Sequence, residues 1–129
     1  MNTEPLTPKK KLVFVDDDEF TNILAERFVK RMPYDTYTFT DTDEAREFIQ
    51  SHDVFAIIAD LRMPLTDGLT FLKSLDLSAE STKIRHLIIQ SGAMPEDSIR
   101  EAIATLGYGL VLKDTLFQDE SYLRSLLDT

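Results

Sequence analysis

Residues 54–60, Val-Phe-Ala-Ile-Ile-Ala-Asp, constrain what this chain can fold into more than any other stretch. Six apolar residues in succession, short and partly β-branched, leave no polar face for water. That is the pattern of a strand covered on both sides in a parallel sheet. The run ends on a carboxylate. In open α/β sheets ligands bind just beyond the carboxyl ends of the strands, so Asp60 is a candidate functional residue by position alone.

The rest of the chain alternates between two periods. Leu12–Val15 is a second apolar run, and it ends in Asp16-Asp17-Asp18-Glu19. From Phe20 the period becomes helical, with Phe20, Ile23, Leu24 and Phe28 as the apolar stripe, and Pro33 stops the helix near Met32. Thr36 to Thr40 alternates threonine with aromatic residues, a strand less buried than the others. Thr42, followed by Asp43 and Glu44 in the first helical turn, reads as the N-cap of a helix. That helix buries Ala45, Phe48 and Ile49 and ends near Asp53. Gly68 leads into a stripe of Leu69, Phe71, Leu72 and Leu75.

His86–Gln90 is a further buried strand ending at Ser91-Gly92. Pro95 is expected in the first turn of a helix carrying Ile99, Ala102, Ile103 and Leu106, closed by Gly107. Leu110–Leu112 is the last strand, ending at Lys113-Asp114, and a final helix holds Tyr122, Leu123, Leu126 and Leu127. Five strands alternating with five helices mean βαβ units, hence a doubly wound parallel sheet with helices on both faces.

Composition sets the class. A chain of 129 residues is one domain, with residues 1–10 as a flexible N-terminal tail and 11–129 folded. Hydrophobic residues at 43% and charged residues at 29% fit a globular domain. No apolar run approaches the ~20 residues of a membrane span. A net charge of -9 argues against binding nucleic acid or anionic lipid by charge. With no cysteine there is no disulfide, thiolate metal site or thiol nucleophile. Lys9 to Lys11 precede no long apolar segment, so no secretory signal is read and a cytoplasmic protein is expected.

Four of the five strands end at polar groups: Asp16-Asp17, Asp60, Ser91 and Lys113. Parallel strands bring these ends to one edge of the sheet. Carboxylates this close repel by about 1 kcal/mol per pair in water and about 4 kcal/mol at an intermediate dielectric. Lys113 offsets part of that, and a divalent cation with oxygen ligands would offset the rest. Mg²⁺ fits, with Mn²⁺ as the alternative, because it takes one or two carboxylates, keeps waters and accepts a phosphate oxygen. A carboxylate so placed is suited to attack phosphorus and become an aspartyl phosphate.

Nearly the whole chain resembles a receiver domain of a two-component response regulator, of the chemotaxis-receiver kind. The resemblance rests on Val15-Asp16-Asp17, on Asp60-x-x-Met63-Pro64-x-x-Asp67-Gly68, on Ser91-Gly92, and on Lys113 after an apolar strand. It implies a flavodoxin-like five-stranded sheet in the order 2-1-3-4-5. It implies that Asp60 is the phosphoacceptor, charged by a phosphohistidine of a sensor histidine kinase, by a phosphotransfer protein or by a small phosphodonor. Asp17 and Asp60 resemble direct Mg²⁺ ligands, Asp16 a ligand through water, and the backbone carbonyl of Arg62 a further ligand.

By the same resemblance Ser91 is the switch hydroxyl and Lys113 the ion-pair partner of the phosphoryl group. Met63, Pro64, Asp67, Gly68 and Gly92 shape the loops. Such a domain is not an enzyme on other substrates; it catalyses its own phosphorylation and slow dephosphorylation. Phosphorylation would switch, and allow dimerisation through, a face of the fourth helix, last strand and last helix. The partner downstream is another protein or an output domain outside these 129 residues.

The pattern is departed from at two positions. Leu110 stands where receivers usually carry Tyr or Phe, and Tyr108, on the same strand face, is the candidate to replace that rotamer switch. Asp114 follows the lysine where a cis proline is usual; a cis bond before a non-proline residue costs about 3 kcal/mol, so a trans loop of different shape is expected. Asp18 reads as an ordinary helix cap, His86 as a strand start away from the site and His52 as a surface residue near a helix end. Two rivals stand. One is a receiver-fold module that signals without phosphate. The other is a haloacid-dehalogenase-like phosphatase on Asp16-x-Asp18, where Phe20 lacks the expected small side chain.

Overall fold

The computed structural model describes residues 9–75 and 84–128. In chain order the elements are β1 Lys10–Val15, α1 Glu19–Val29, β2 Tyr34–Phe39, α2 Thr42–Ser51, β3 Ala56–Asp60 and α3 Gly68–Ser74. They continue with β4 His86–Ser91, α4 Asp97–Thr105, β5 Gly109–Leu112, α5 Lys113–Leu116 and α6 Glu120–Leu127. β1 begins one residue inside the expected tail, whose residues 1–8 lie outside the described residues. The five strands form one sheet in the order β2-β1-β3-β4-β5, and every pairing is parallel. This is the flavodoxin-like order expected.

Alternation along the strands divides the core in two. Val13, Val15, Ile57, Ala59 and Ile89 face α2, α3 and α4 through Ile49, Phe71, Leu72 and Ile103. Leu12, Phe14, Ala56, Ile58, Ile88 and Val111 face α1, α5 and α6 through Ala25, Val29, Leu116, Leu123 and Leu127. β3 is buried at all five positions, as its composition demands. Ile57 and Ile58 each contribute about 1.5–3 kcal/mol by leaving water. The edge strand β2 is half-buried throughout.

Four local expectations are corrected. There are six helices among the described residues rather than five: the chain turns into α5 at Lys113, and Leu116, fully buried, draws that turn onto the sheet. The cap of α2 is Asp41, not Thr42. Its Oδ1 accepts from the Asp43 and Glu44 amides at 2.7 and 3.2 Å, and a carboxylate caps better than threonine. Pro95 lies before the cap residue Glu96 rather than in the first turn of α4.

The fourth correction concerns α1, which is rotated from the expected face. Thr21, Asn22, Ala25 and Val29 are buried, while Phe20, Ile23 and Leu24 are 64, 41 and 38% exposed. Two anchors set that rotation. Asp18 caps the helix by accepting from the Phe20 amide at 2.9 Å. Asn22 Nδ2 donates to the Asp16 and Phe39 carbonyls at 3.0 and 3.1 Å.

Gly107 ends α4 as expected. With φ of 77° it occupies the left-handed region. The Gly107 and Tyr108 amides donate back to Ala104 and Ile103 at 3.0 and 3.1 Å, the paired bonds of a Schellman close.

Gly68 presses the start of α3 against the end of β3. A Cβ there would lie 2.3 Å from the Asp60 carbonyl oxygen, which is backbone and has no slack. Gly68→Ala is therefore expected to lower stability by about 1–3 kcal/mol, the usual cost of overpacking, read as a lower urea midpoint. An unchanged midpoint would show that the β3–α3 junction can widen.

Candidate functional site

The carboxyl edge of the sheet collects the polar strand ends. Asp16 follows β1, Asp60 and Ser91 are the last residues of β3 and β4, and Lys113 follows β5. Asp16, Asp60 and Ser91 are 0, 6 and 4% exposed, whereas Asp17 is open to solvent. One carboxylate oxygen from each of Asp16, Asp17 and Asp60 lies within 4.8 Å of the others. The sequence therefore named residues that the fold does bring together.

Lys113 ties the two buried acids. Its Nζ is 2.8 Å from Asp16 Oδ2 and 3.3 Å from Asp60 Oδ1. Three formal carboxylates against one ammonium leave negative charge unbalanced in a partly desolvated place. Burial and the neighbouring Asp16 push the Asp60 carboxyl above the usual carboxylate range, against the pull of Lys113 and a hydrogen bond from the Arg62 amide. Burial works against the charge on Lys113, yet its bonds to Asp16 and Asp60 outweigh that and raise it. All-oxygen donors with excess negative charge suit a hard divalent cation, so the residues present fit a metal of the Mg²⁺ class.

Asp16 is the most firmly held of the acids. Oδ1 accepts from the Asp18 amide at 2.9 Å, while Oδ2 accepts from Gln90 Nε2 at 3.2 Å besides Lys113. Gln90 and Asn22 were missed in the sequence. Their signals were faint: Gln90 is a polar residue closing an otherwise apolar run, and Asn22 sits among candidates for an apolar helical stripe. Both are buried, and Asn22 Oδ1 and Gln90 Oε1 have no hydrogen-bond partner.

The remaining candidates take varied places. Ser91 Oγ donates to the Ala93 carbonyl at 2.6 Å, within its own loop. Asp67 caps α3, accepting from the Thr70 amide at 2.7 Å. Met63 packs against the α2–α4 side of the core. With Pro64, Leu65, Thr40, Asp41 and Asp17 it lines a cleft of about 330 Å³ beside the acids. Arg62 is exposed, and its backbone carbonyl is the group expected to face a metal. A Cβ on Gly92 would meet nothing within 4 Å, so the loop beside Ser91 is open.

Tyr108 and Leu110 both pack on the α2–α4 side, so they do share a face. No peptide bond among the described residues is cis, and Asp114 lies in the first turn of α5. His86 begins β4, its ring edge-on to Phe55, at the far end from the acids. His52 stacks on Phe48 at the end of α2.

A raised carboxyl destabilises the ionised fold above its own pKa, and the penalty vanishes as pH falls through that pKa toward the unfolded value. Asp60→Asn is therefore expected to raise the metal-free Tm at pH 7 by about 3–5 °C for each kcal/mol removed. The gain should shrink as pH is lowered through the raised Asp60 range toward 3.8. A Tm that falls at pH 7 would mean that the Lys113–Asp60 pair outweighs the burial cost.

Comparison with known proteins agrees with this geometry. Residues 12–123 match the family described as the response regulator receiver domain. A gliding motility regulatory protein of Myxococcus xanthus is 26% identical over 96 residues, 74% of this chain but only 12% of that protein's length. Among solved structures, a chemotaxis protein of Vibrio cholerae superposes with a TM-score of 0.77 at 19% identity, covering 93% of this chain and 97% of that one. The signal receiver domain of an HD domain-containing protein from Pseudomonas fluorescens gives 0.76 at 22%, covering 99 and 90%. These two likenesses concern the fold. With the family match reaching all five strands, the chain belongs to the response regulator receiver domain family of two-component systems.

Proposed function

We propose that Asp60 accepts a phosphoryl group, and that the domain switches a protein-binding face in response. The observation that carries this reading is the buried Asp60 carboxylate at the end of β3, 3.3 Å from Lys113 and grouped with Asp16 and Asp17. An Asp60 oxygen attacks phosphorus, the bond to the donor's leaving atom breaks, and its electron pair leaves with the donor. The donor is a phosphohistidine of a sensor histidine kinase or phosphotransfer protein, or a small phosphodonor.

Asp16, Asp17, Asp60 and the Arg62 carbonyl would hold Mg²⁺ or Mn²⁺. When bound, the cation supplies charge neutralisation for the crowded oxygens. Lys113 pairs with the transferred group. Ser91 would first have to release the Ala93 carbonyl in order to reach it, which couples phosphate to the β4–α4 loop. The surface biased in this way is α4, β5 and α6, which would serve a downstream protein, an output domain or a second copy. Tyr108, beside Leu110, is the side chain proposed to report the change inward. No described helix is long and apolar enough to cross a membrane, and nothing in the charge favours nucleic acid as a direct partner.

Incubation with acetyl phosphate and Mg²⁺ should add one phosphoryl group by intact mass, mapped to Asp60. The gain should vanish in Asp60→Asn and on chelation of the metal. No gain with acetyl phosphate, or a gain elsewhere, overturns the reading; label on Asp16 would instead support the haloacid-dehalogenase-like alternative. A receiver-fold module independent of phosphate is favoured by Leu110 and Asp114 alone, and would show partner binding unchanged in Asp60→Asn. Phosphorylation should also shift the Tyr108 ring resonances. Rings that stay still would remove Tyr108 from the switch.

A further inference from the structure

One buried polar side chain has no part in the reading above. Gln90 lies in β4 with no exposed surface, in register with Asp60 on β3 and Val111 on β5. Its backbone carbonyl accepts from the Leu61 amide at 2.8 Å, and the next residue is Ser91. Its side chain points the same way as Ile88, toward the face that holds Ile58 and Phe14. Packing alone would call for an aliphatic residue there. Instead the amide donates to Asp16 Oδ2 at 3.2 Å, and its own Oε1 is left buried without a partner. An unsatisfied buried carbonyl opposes folding, so stability does not account for Gln90.

We propose that Gln90 is a positioning residue for Asp16 and thereby sets the affinity of the acid cluster for a divalent cation. The inference rests on reading Asp16, Asp17 and Asp60 as the cation site. Asp16 is gripped from three directions: the Asp18 amide on Oδ1, and Lys113 and Gln90 together on Oδ2. Without Gln90, Lys113 alone orients Oδ2, and the carboxylate is free to turn toward the ammonium. Groups that hold a metal ligand in place typically change metal affinity 10–100-fold when removed. Gln90 also joins this acid to the strand that ends in Ser91, so the acid and the hydroxyl-bearing loop move on one support.

Titration of Mg²⁺ into the wild-type protein and Gln90→Met by calorimetry at pH 7 tests this, with thermal unfolding of both metal-free proteins alongside. Methionine nearly matches glutamine in length and volume and carries no N–H donor. The dissociation constant is expected to rise about tenfold or more, while the metal-free Tm holds or rises because the orphan carbonyl is gone. A dissociation constant unchanged within twofold overturns the proposal. So does a loss of affinity accompanied by a fall in Tm, which assigns Gln90 a structural role.

Should the variant not fold, the wild-type protein decides. Gln50 and Gln118 are exposed, so the side-chain NH₂ pairs that resist solvent exchange are those of Gln90 and Asn22, and through-bond correlation to a glutamine Cγ singles out the Gln90 pair. That pair should shift along the Mg²⁺ binding curve, and a pair that does not move overturns the proposal. Absence of saturable Mg²⁺ binding by the wild-type protein would defeat the cation reading itself, and this inference with it. Binding with an unchanged Gln90 response would defeat the inference alone.

Discussion

Two buried carboxylates sharing one ammonium are the arrangement on which the rest of this molecule depends. Lys113 reaches Asp16 and Asp60 at 2.8 and 3.3 Å, from a position after β5, while the acids stand at the ends of β1 and β3. Nothing local holds these groups together. Like charges at such separations repel by about 4 kcal/mol per pair at an effective dielectric of 20. Only a rigid parallel sheet, with both faces dry, keeps them within reach of each other and of a cation.

That rigidity has an identifiable source. β1 and β3 contribute to both halves of the core, so neither strand can slip by a residue without turning its whole apolar set toward the wrong helices. The register Val15↔Ala59 and Asp60↔Gln90 then places Asp16, Asp60 and Gln90 side by side. At the junction after β3, Gly68 allows α3 to approach the Asp60 carbonyl more closely than any side chain would permit. Each feature spends stability or conformational freedom on the position of an acid. This is the pattern expected where function and folding compete.

Much of the site was legible because parallel α/β architecture turns a one-dimensional fact, which residue ends each strand, into a three-dimensional one. Asp16, Asp60, Ser91 and Lys113 were readable on that ground. Gln90 was not, since a glutamine closing an apolar run looks like the start of a turn until Asp16 is seen 3.2 Å away. Phe20, Ile23 and Leu24 were misleading for a related reason. Their spacing is that of a buried stripe, yet Asp18 and Asn22 fix the rotation of α1 through polar anchors that outweigh the apolar moment. Thr42 lost its capping role to Asp41 by one residue, a difference that only the carboxylate's reach to two amides decides.

What the sequence by itself determined is the alternation of buried strands and amphipathic helices, and the polar residue at the end of each strand. Hydrophobic periodicity and turn chemistry act over a few residues and need no partner to be read. The tertiary structure alone decided the rotation of α1, the short helix α5, the engagement of the Ser91 hydroxyl with Ala93 and the grip of Gln90 on Asp16. Gln90 and Asp16 are 74 positions apart. A hydrogen bond of that span exists only after the whole sheet has formed, because its geometry is set by strand register and packing rather than by any neighbouring residue.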